Sequence, residues 1–304
     1  MRYYMGIDGG GSGMRVVIIN SEHEIITRVE AESANPSGIG LDEAAKRIQA
    51  AMNDALRQAS LHPNAIAAVG IGIAGASEEH SKGWLQSTTK GVLSAAKVVP
   101  SSDVEVALVG AHGGRIGALL IAGTGSVIAG IDGEDQLVRY GGWGYVFGDE
   151  GSGYWIGRQA LTTVAQAYDH QGPSTILVTR IPAHLGLKGA RELIKWVYRG
   201  EKVPVQDIAA LVPVVLMAAG DGDGVARQIV EMAAHYLAHL STTLLHRTGL
   251  TPAYLKFAGS LISTENRVSN RLCELLELEK IPQAQNEPVI GAALMALNAD
   301  QPGS

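Results

Sequence analysis

Cysteine is almost missing from this sequence. One thiol, Cys273, stands among 304 residues. That excludes an internal disulfide framework and any zinc site built from several thiolates. It fits a reducing compartment, so a cytoplasmic location is expected. The opening MRYYMGIDGG lacks the apolar run of a secretory leader. No stretch of about 18 uncharged apolar residues is present to span a bilayer, so no membrane association is expected. Lys/Arg blocks are also lacking: 24 basic residues face 30 acidic ones, for a net charge of −6. Nucleic acid is therefore not an expected partner. There is no G-x-x-x-x-G-K-[ST], which excludes a P-loop NTPase.

Glycine is plentiful, with 38 residues against about 7% in an average protein. The excess is clustered rather than periodic, which excludes collagen-like and low-complexity chains. With 46% apolar and 18% charged residues, the chain can fill a sizeable core, and its length suggests two domains.

A strand over residues 3–7 ends at Asp8. The turn Gly9-Gly10-Gly11-Ser12-Gly13 and a second strand over 14–19 follow, which together read as a hairpin. A third strand is expected over 24–29, a helix over 41–59 and a buried strand over 65–73. After these come a helix over 78–96, a strand over 97–100 and a helix over 104–111. The opening pattern then returns: a strand over 117–122, the turn Gly123-Thr124-Gly125-Ser126, and strands over 127–131 and 137–140. From Tyr154 onward the chain reads as mostly helical, with a late strand over 254–257 closed by Gly259-Ser260 and a last helix over 289–298. A repeat of about 115 residues implies two copies of one fold rather than a solenoid.

Two matching glycine and hydroxyl turns point to a polyanion. Successive backbone N–H groups form concave anion sites, and glycine lets a phosphate approach closely. Ser12, Thr124 and Ser126 add hydroxyl donors. Two ordinary tight turns remain the plain alternative. Residues 70–75, Gly-Ile-Gly-Ile-Ala-Gly, match a dinucleotide fingerprint only weakly, because no acidic residue follows about 20 positions on. There the alternative is a strand end that lets a ligand or helix approach. Asp8 beside phosphates suits Mg²⁺, which takes one or two carboxylates plus phosphate oxygens, or it simply stabilises a turn. Asp103 either caps the following helix or serves as a general base at a strand end. The run GGWGYVFGDEGSG over 141–153 combines aromatics with Asp149 and Glu150. That pairing suits a polyhydroxylated ligand, and Ser152 can cap the next helix. His235 and His239 read as one helix face without a third metal ligand, and Cys273 as buried packing.

Together these residues resemble the sugar-kinase/Hsp70/actin superfamily, specifically the group that contains N-acetylglucosamine kinase and the BadF/BadG/BcrA/BcrD ATPases. The resemblance rests on four runs: Ile7-Asp8-Gly9-Gly10-Gly11-Ser12, Ile121-Ala122-Gly123-Thr124-Gly125-Ser126, Phe257-Ala258-Gly259-Ser260 and the segment 141–153. It implies an α/β, duplicated RNase H-like (actin-like ATPase) fold, with two lobes around a nucleotide and sugar cleft. The lobes would span 1–116 and 117–287, the second carrying helical insertions, and a C-terminal helix in 288–304 would join the first. It implies ATP and Mg²⁺ as cofactors. Asp103 would be the catalytic base. Asp8, Gly9, Gly10, Gly11, Ser12, Gly123, Thr124, Gly125, Gly259 and Ser260 would bind the nucleotide, with Asp8 holding Mg²⁺ through water. Asn35, Asp103, Ser126, Trp143, Gly144 and Asp149 would bind the sugar. The implied reaction is 6-phosphorylation of an amino sugar, N-acetyl-D-glucosamine before glucosamine. A homodimer is expected. The group's activators of 2-hydroxyacyl-CoA dehydratases hold an iron–sulfur cluster with two cysteines per subunit, which one Cys273 per chain does not supply.

Overall fold

Each glycine turn joins two neighbouring strands at the start of a sheet. The computed structural model describes residues 2–11, 13–76, 79–200 and 204–301. The chain divides into two compact units: Met1–Gly117 with Gly133–Leu137 and Ala284–Ser304, and Ala118–Asp132 with Val138–Gln283.

The first unit holds β1 (Tyr3–Gly9), β2 (Met14–Asn20), β3 (Ile25–Ala31), α1 (Pro36–Ile39), α2 (Leu41–Ala59), β4 (Ile66–Ile73), α3 (Glu79–Lys90), β5 (Lys97–Ser101) and α4 (Asp103–His112). Its sheet runs β3-β2-β1-β4-β5. β1 is antiparallel to β2 and parallel to β4, and β4 is parallel to β5. β4 is buried on both faces, which explains its continuous apolar reading. One face packs Met5, Ile7, Val69 and Ile71 against Ile48 and Met52 of α2. Tyr4, Val17, Ile19 and Ala68 pack on the other face against a helix from the far end of the chain.

The second unit begins with β6 (Gly117–Ala122), β7 (Ser126–Ile131) and β8 (Leu137–Gly141). Its helices are α5 (Gly153–Tyr168), α6 (Leu177–His184), α7 (Leu193–Val197), α8 (Val205–Ala209), α9 (Val212–Gly220), α10 (Gly224–Thr248) and α11 (Arg267–Leu275). β9 (Leu255–Ala258) precedes α11 and pairs parallel with β6, giving the order β8-β7-β6-β9. Leu120, Ile128 and Phe257 from this sheet share a core with Trp155 of α5 and Leu237 of α10. The helix that returns to the first unit is α12 (Pro288–Asp300).

The run at 70–75 resolves as a packing device. A Cβ on Gly70 would strike the carbonyl of Ala292 in α12, and one on Gly72 would sit 2.6 Å from the carbonyl oxygen of Ser102. Bare backbone lets two helices close on β4. The helix expected over 78–96 ends at Lys90. Thr89 turns its hydroxyl back to the Leu85 carbonyl, and residues 91–96 fold as turns that bury Leu93 and Ala96. Glu78, its expected first residue, lies outside the described residues. The short α1 was not anticipated. No single helix among the described residues is long and apolar enough to cross a membrane.

Gly70→Ala should destabilise the protein by about 2–3 kcal/mol or more, because α12 must shift to admit a methyl group. A urea midpoint equal to that of the unsubstituted protein would show that this approach is not tight.

Candidate active site

In the first unit the hairpin register places Asp8 opposite Arg15, and the parallel pairing with β4 sets it beside Gly72. Its side chain is only 13% exposed. Burial pushes the Asp8 carboxyl up to about 6; Arg15, 3.9 Å away, opposes this, while Asp103 and Glu287 add to it. Two residues on, the Gly10 N–H donates to the Gly13 carbonyl at 2.9 Å, and the Gly9 carbonyl accepts the Ala74 N–H at 2.7 Å. The turn is thus fixed from both sides, with Gly11 exposed at its tip. Ser12 lies outside the described residues.

Asp103 opens α4 where that helix meets β5. The cap is not Asp103 but Ser102, whose hydroxyl oxygen accepts the Glu105 N–H at 3.1 Å. The cap reading of Asp103 is therefore corrected: its carboxylate stands at the first helical position, half-buried and within electrostatic reach of Asp8. Gly72 makes this possible, since a side chain there would displace Ser102. Asn35 caps α1, its Oδ1 accepting the Ser37 N–H at 2.9 Å.

In the second unit, Gly123 N–H donates to Gly125 at 3.0 Å, while the Gly123 and Thr124 carbonyls accept N–H groups from Gly153 and Tyr154 at 2.7 and 3.1 Å. The turn is seated on the start of α5. Asp149 braces it from the side. Its carboxylate accepts the backbone N–H groups of Ser126 and Gly144, although burial outweighs them and raises its pKa. A Cβ on Gly125 would lie 2.7 Å from Asp149 Oδ2. Ser126 donates its hydroxyl to the Glu150 carbonyl at 2.9 Å. Asp149 holds this with φ at +59°, a left-handed backbone that Asp adopts more readily than most residues. Trp143 and Phe147 are 71% and 72% exposed, with ring centroids 6.3 Å apart. Tyr145, between them in sequence, packs edge-on against Tyr154 of α5 at 5.2 Å.

Gly123, Thr124 and Ser260 also line a cavity of about 440 Å³. Its other walls come from Gln206, Pro213, Thr264 and Asn266, on or beside α8, α9 and α11. Gly259, with φ at +91°, bends the chain after β9 so that Ser260 reaches the Gly123 turn. The sequence offered no motif for the helical side of this cavity. Arg15, by contrast, can be found by counting the hairpin outward from its turn. Among the described residues no group of three or more His, Cys, Asp or Glu is placed to hold a metal ion.

The BadF/BadG/BcrA/BcrD ATPase family model matches residues 5–296. An N-acetylmuramic acid/N-acetylglucosamine kinase from Clostridium acetobutylicum is 30% identical over 302 residues, 97% of this chain and 98% of that protein. An N-acetyl-D-glucosamine kinase from Dictyostelium discoideum is also 30% identical, over 313 aligned residues, with the same coverage. The crystal structure of a candidate N-acetylglucosamine kinase from Chromobacterium violaceum superposes with a TM-score of 0.76 at 26% identity. That match covers 98% of this chain and 99% of the other.

The raised Asp8 carboxyl penalises the folded state once it ionises. That penalty is absent below its ordinary value of 3.8 and complete above about 6. Asp8→Asn should therefore be the more stable protein at pH 8, by on the order of 2–3 kcal/mol. The advantage should shrink as pH falls from 6 towards 4. Urea midpoints across that range test this, and a gap independent of pH contradicts it.

Proposed function

The chain belongs to the BadF/BadG/BcrA/BcrD ATPase family and has the duplicated RNase H-like fold of actin-like ATPases, and on that premise we propose that it is an ATP-dependent kinase of N-acetylated amino sugars. It transfers the γ-phosphoryl group of ATP to the 6-hydroxyl of N-acetyl-D-glucosamine. The observation that carries this reading is Asp103: a carboxylate at the first position of a helix whose cap is Ser102, set near a second carboxylate, Asp8. The full-length likeness to two amino-sugar kinases supports the choice of substrate.

In this reading Asp103 accepts the 6-hydroxyl proton as O6 attacks the γ-phosphorus. The new O–P bond forms as the bond to the β-phosphate oxygen breaks, and ADP leaves with that electron pair. Phosphoryl transfer depends mainly on positioning and charge stabilisation. The donors come from the two glycine turns, 9–11 and 123–125, where the Gly10 and Gly123 N–H groups hold the turn itself, and from the Ser12 and Thr124 hydroxyls. Gly259 and Ser260 take the adenosine beside the 440 Å³ cavity. Asn35, Ser126, Trp143, Gly144 and Asp149 take the sugar, with Trp143 covering its C–H face. The donor set suits Mg²⁺ rather than a caged metal, since Asp8 is a hard oxygen ligand without a surrounding cluster. Bound through water to Asp8, Mg²⁺ would neutralise charge on the phosphate oxygens. A homodimer is the assembly we assign, on the exposed Tyr168, Ile194 and Tyr198 around one cavity of the second unit.

An ADP-release assay over N-acetylglucosamine, glucosamine, glucose and N-acetylmuramic acid should give the highest kcat/KM with N-acetylglucosamine; no turnover with any of them removes the reading. Asp103→Asn should lower kcat by about 10² to 10⁴ with little change in KM. Trp143→Ala should chiefly raise the sugar KM, and an unchanged KM would take Trp143 out of the sugar site.

A further inference from the structure

Ser102 and Glu105 stand at the N-cap and third helical position of α4. This is the spacing of a capping box, in which the acidic side chain turns back to the N-cap N–H. Only half of that box forms. Ser102 accepts the Glu105 N–H, but the Glu105 carboxylate is engaged elsewhere. Its Oε2 accepts the hydroxyl of Ser101 at 2.6 Å, and its Oε1 accepts Arg115 Nη1 at 2.8 Å. At α11, by contrast, Asn266 and Ser269 complete the reciprocal pair.

The diversion has a geometric result. Ser101 is the buried last residue of β5. Arg115 follows α4 and also donates from Nε to Asp135 at 2.7 Å. The Glu105 side chain is only 16% exposed, so its ion pair is shielded more than a surface pair would be. One carboxylate thereby joins the end of β5 to the first turn of α4 and anchors both to the segment beyond the helix. Residues 102 and 103 are bracketed between the two ends of the Ser101–Glu105 bond. Ser102 is held on its other side by the open face of Gly72.

We propose that Glu105 is a positioning residue for Asp103, fixing the strand–helix junction so that the base meets the sugar hydroxyl at reacting distance. This rests on the reading of Asp103 as the base. A general base acts only within about 2.6–3.2 Å of its proton, and a shift of about 1 Å can cost on the order of 10² in rate. Glu105 touches neither substrate nor nucleotide in this account. It acts through the backbone it pins.

The test measures kcat and both KM values for Glu105→Ala, Glu105→Gln and Arg115→Ala, each alone and combined with Asp103→Asn. Thermal unfolding serves as a check on folding. Glu105→Ala should lower kcat by about 10- to 100-fold, with KM for sugar and ATP changed by less than about threefold. Glu105→Gln retains an acceptor for Ser101 and should lose less; it keeps the test open if the alanine variant does not fold. In the Asp103→Asn background the same changes should cause little further loss, because the group they position is gone. Losses that multiply in full on top of Asp103→Asn, or a normal kcat for Glu105→Ala, overturn the role of Glu105; if the alanine variant does not fold, normal kcat for both Glu105→Gln and Arg115→Ala does so. If Asp103→Asn itself keeps near-normal turnover, the base assignment has failed and this inference falls with it. If Asp103→Asn is impaired and Glu105→Ala is not, only the inference is lost.

Discussion

The first unit is organised around one unfavourable act: a carboxylate is brought out of water at the end of its central strand. Asp8 lies where an unpaired charge is expensive. Its surroundings are a set of partial compensations. Arg15 stands opposite in the hairpin, too distant at 3.9 Å for a close ion pair. Gly72 beside it carries no side chain, so the cap of α4 closes in and brings a second carboxylate within range. Glu287, which heads α12 and pairs with Arg28, adds a third negative field. Such an arrangement is poor as a device for stability and well suited to receiving positive charge together with a polyanion. Perturbed carboxylates cluster at functional sites.

The second unit solves a different problem, that of holding exposed backbone in a fixed shape. The turn at 123–125 cannot rely on side chains, so its carbonyls are tied to the start of α5 and its flank is braced by Asp149. One carboxylate thus joins the turn to the aromatic segment through Ser126 and Gly144. The side chain expected to meet a ligand is also the one that shapes the loop around it. The two duties are compatible, because a carboxylate offers about four lone-pair directions. Trp143 and Phe147 stay exposed while Tyr145, between them in sequence, packs on Tyr154.

The glycine turns, their flanking strands and Asp8 were legible because each depends on neighbours within a few residues. The hairpin register even contains Arg15, though nothing in composition marks it. What the sequence hid was long-range. The close approach of the α4 cap to Gly72, about 30 residues earlier, is one such contact. The turning of Glu105 away from its capping box depends on Arg115, ten residues on, reaching back along the helix. Residues 70–75 looked like a nucleotide motif because tight helix packing and phosphate binding both ask for absent side chains; only the partner, Ala292, distinguishes them. The helical wall of the 440 Å³ cavity, Gln206 to Asn266, is drawn from segments whose periodicity reports burial alone.

The place of α12 sets an order of events at the ribosome. One face of the first sheet is completed by a helix made long after its strands. More than 200 residues separate the end of β4 from Pro288, so at about 5–20 residues per second the nascent first unit waits on the order of 10–40 s for its missing layer. Through that interval Tyr4, Val17, Ile19 and Ala68 present an apolar surface with no cover of their own. Vectorial synthesis therefore makes the whole of the second unit before that face of the first is covered.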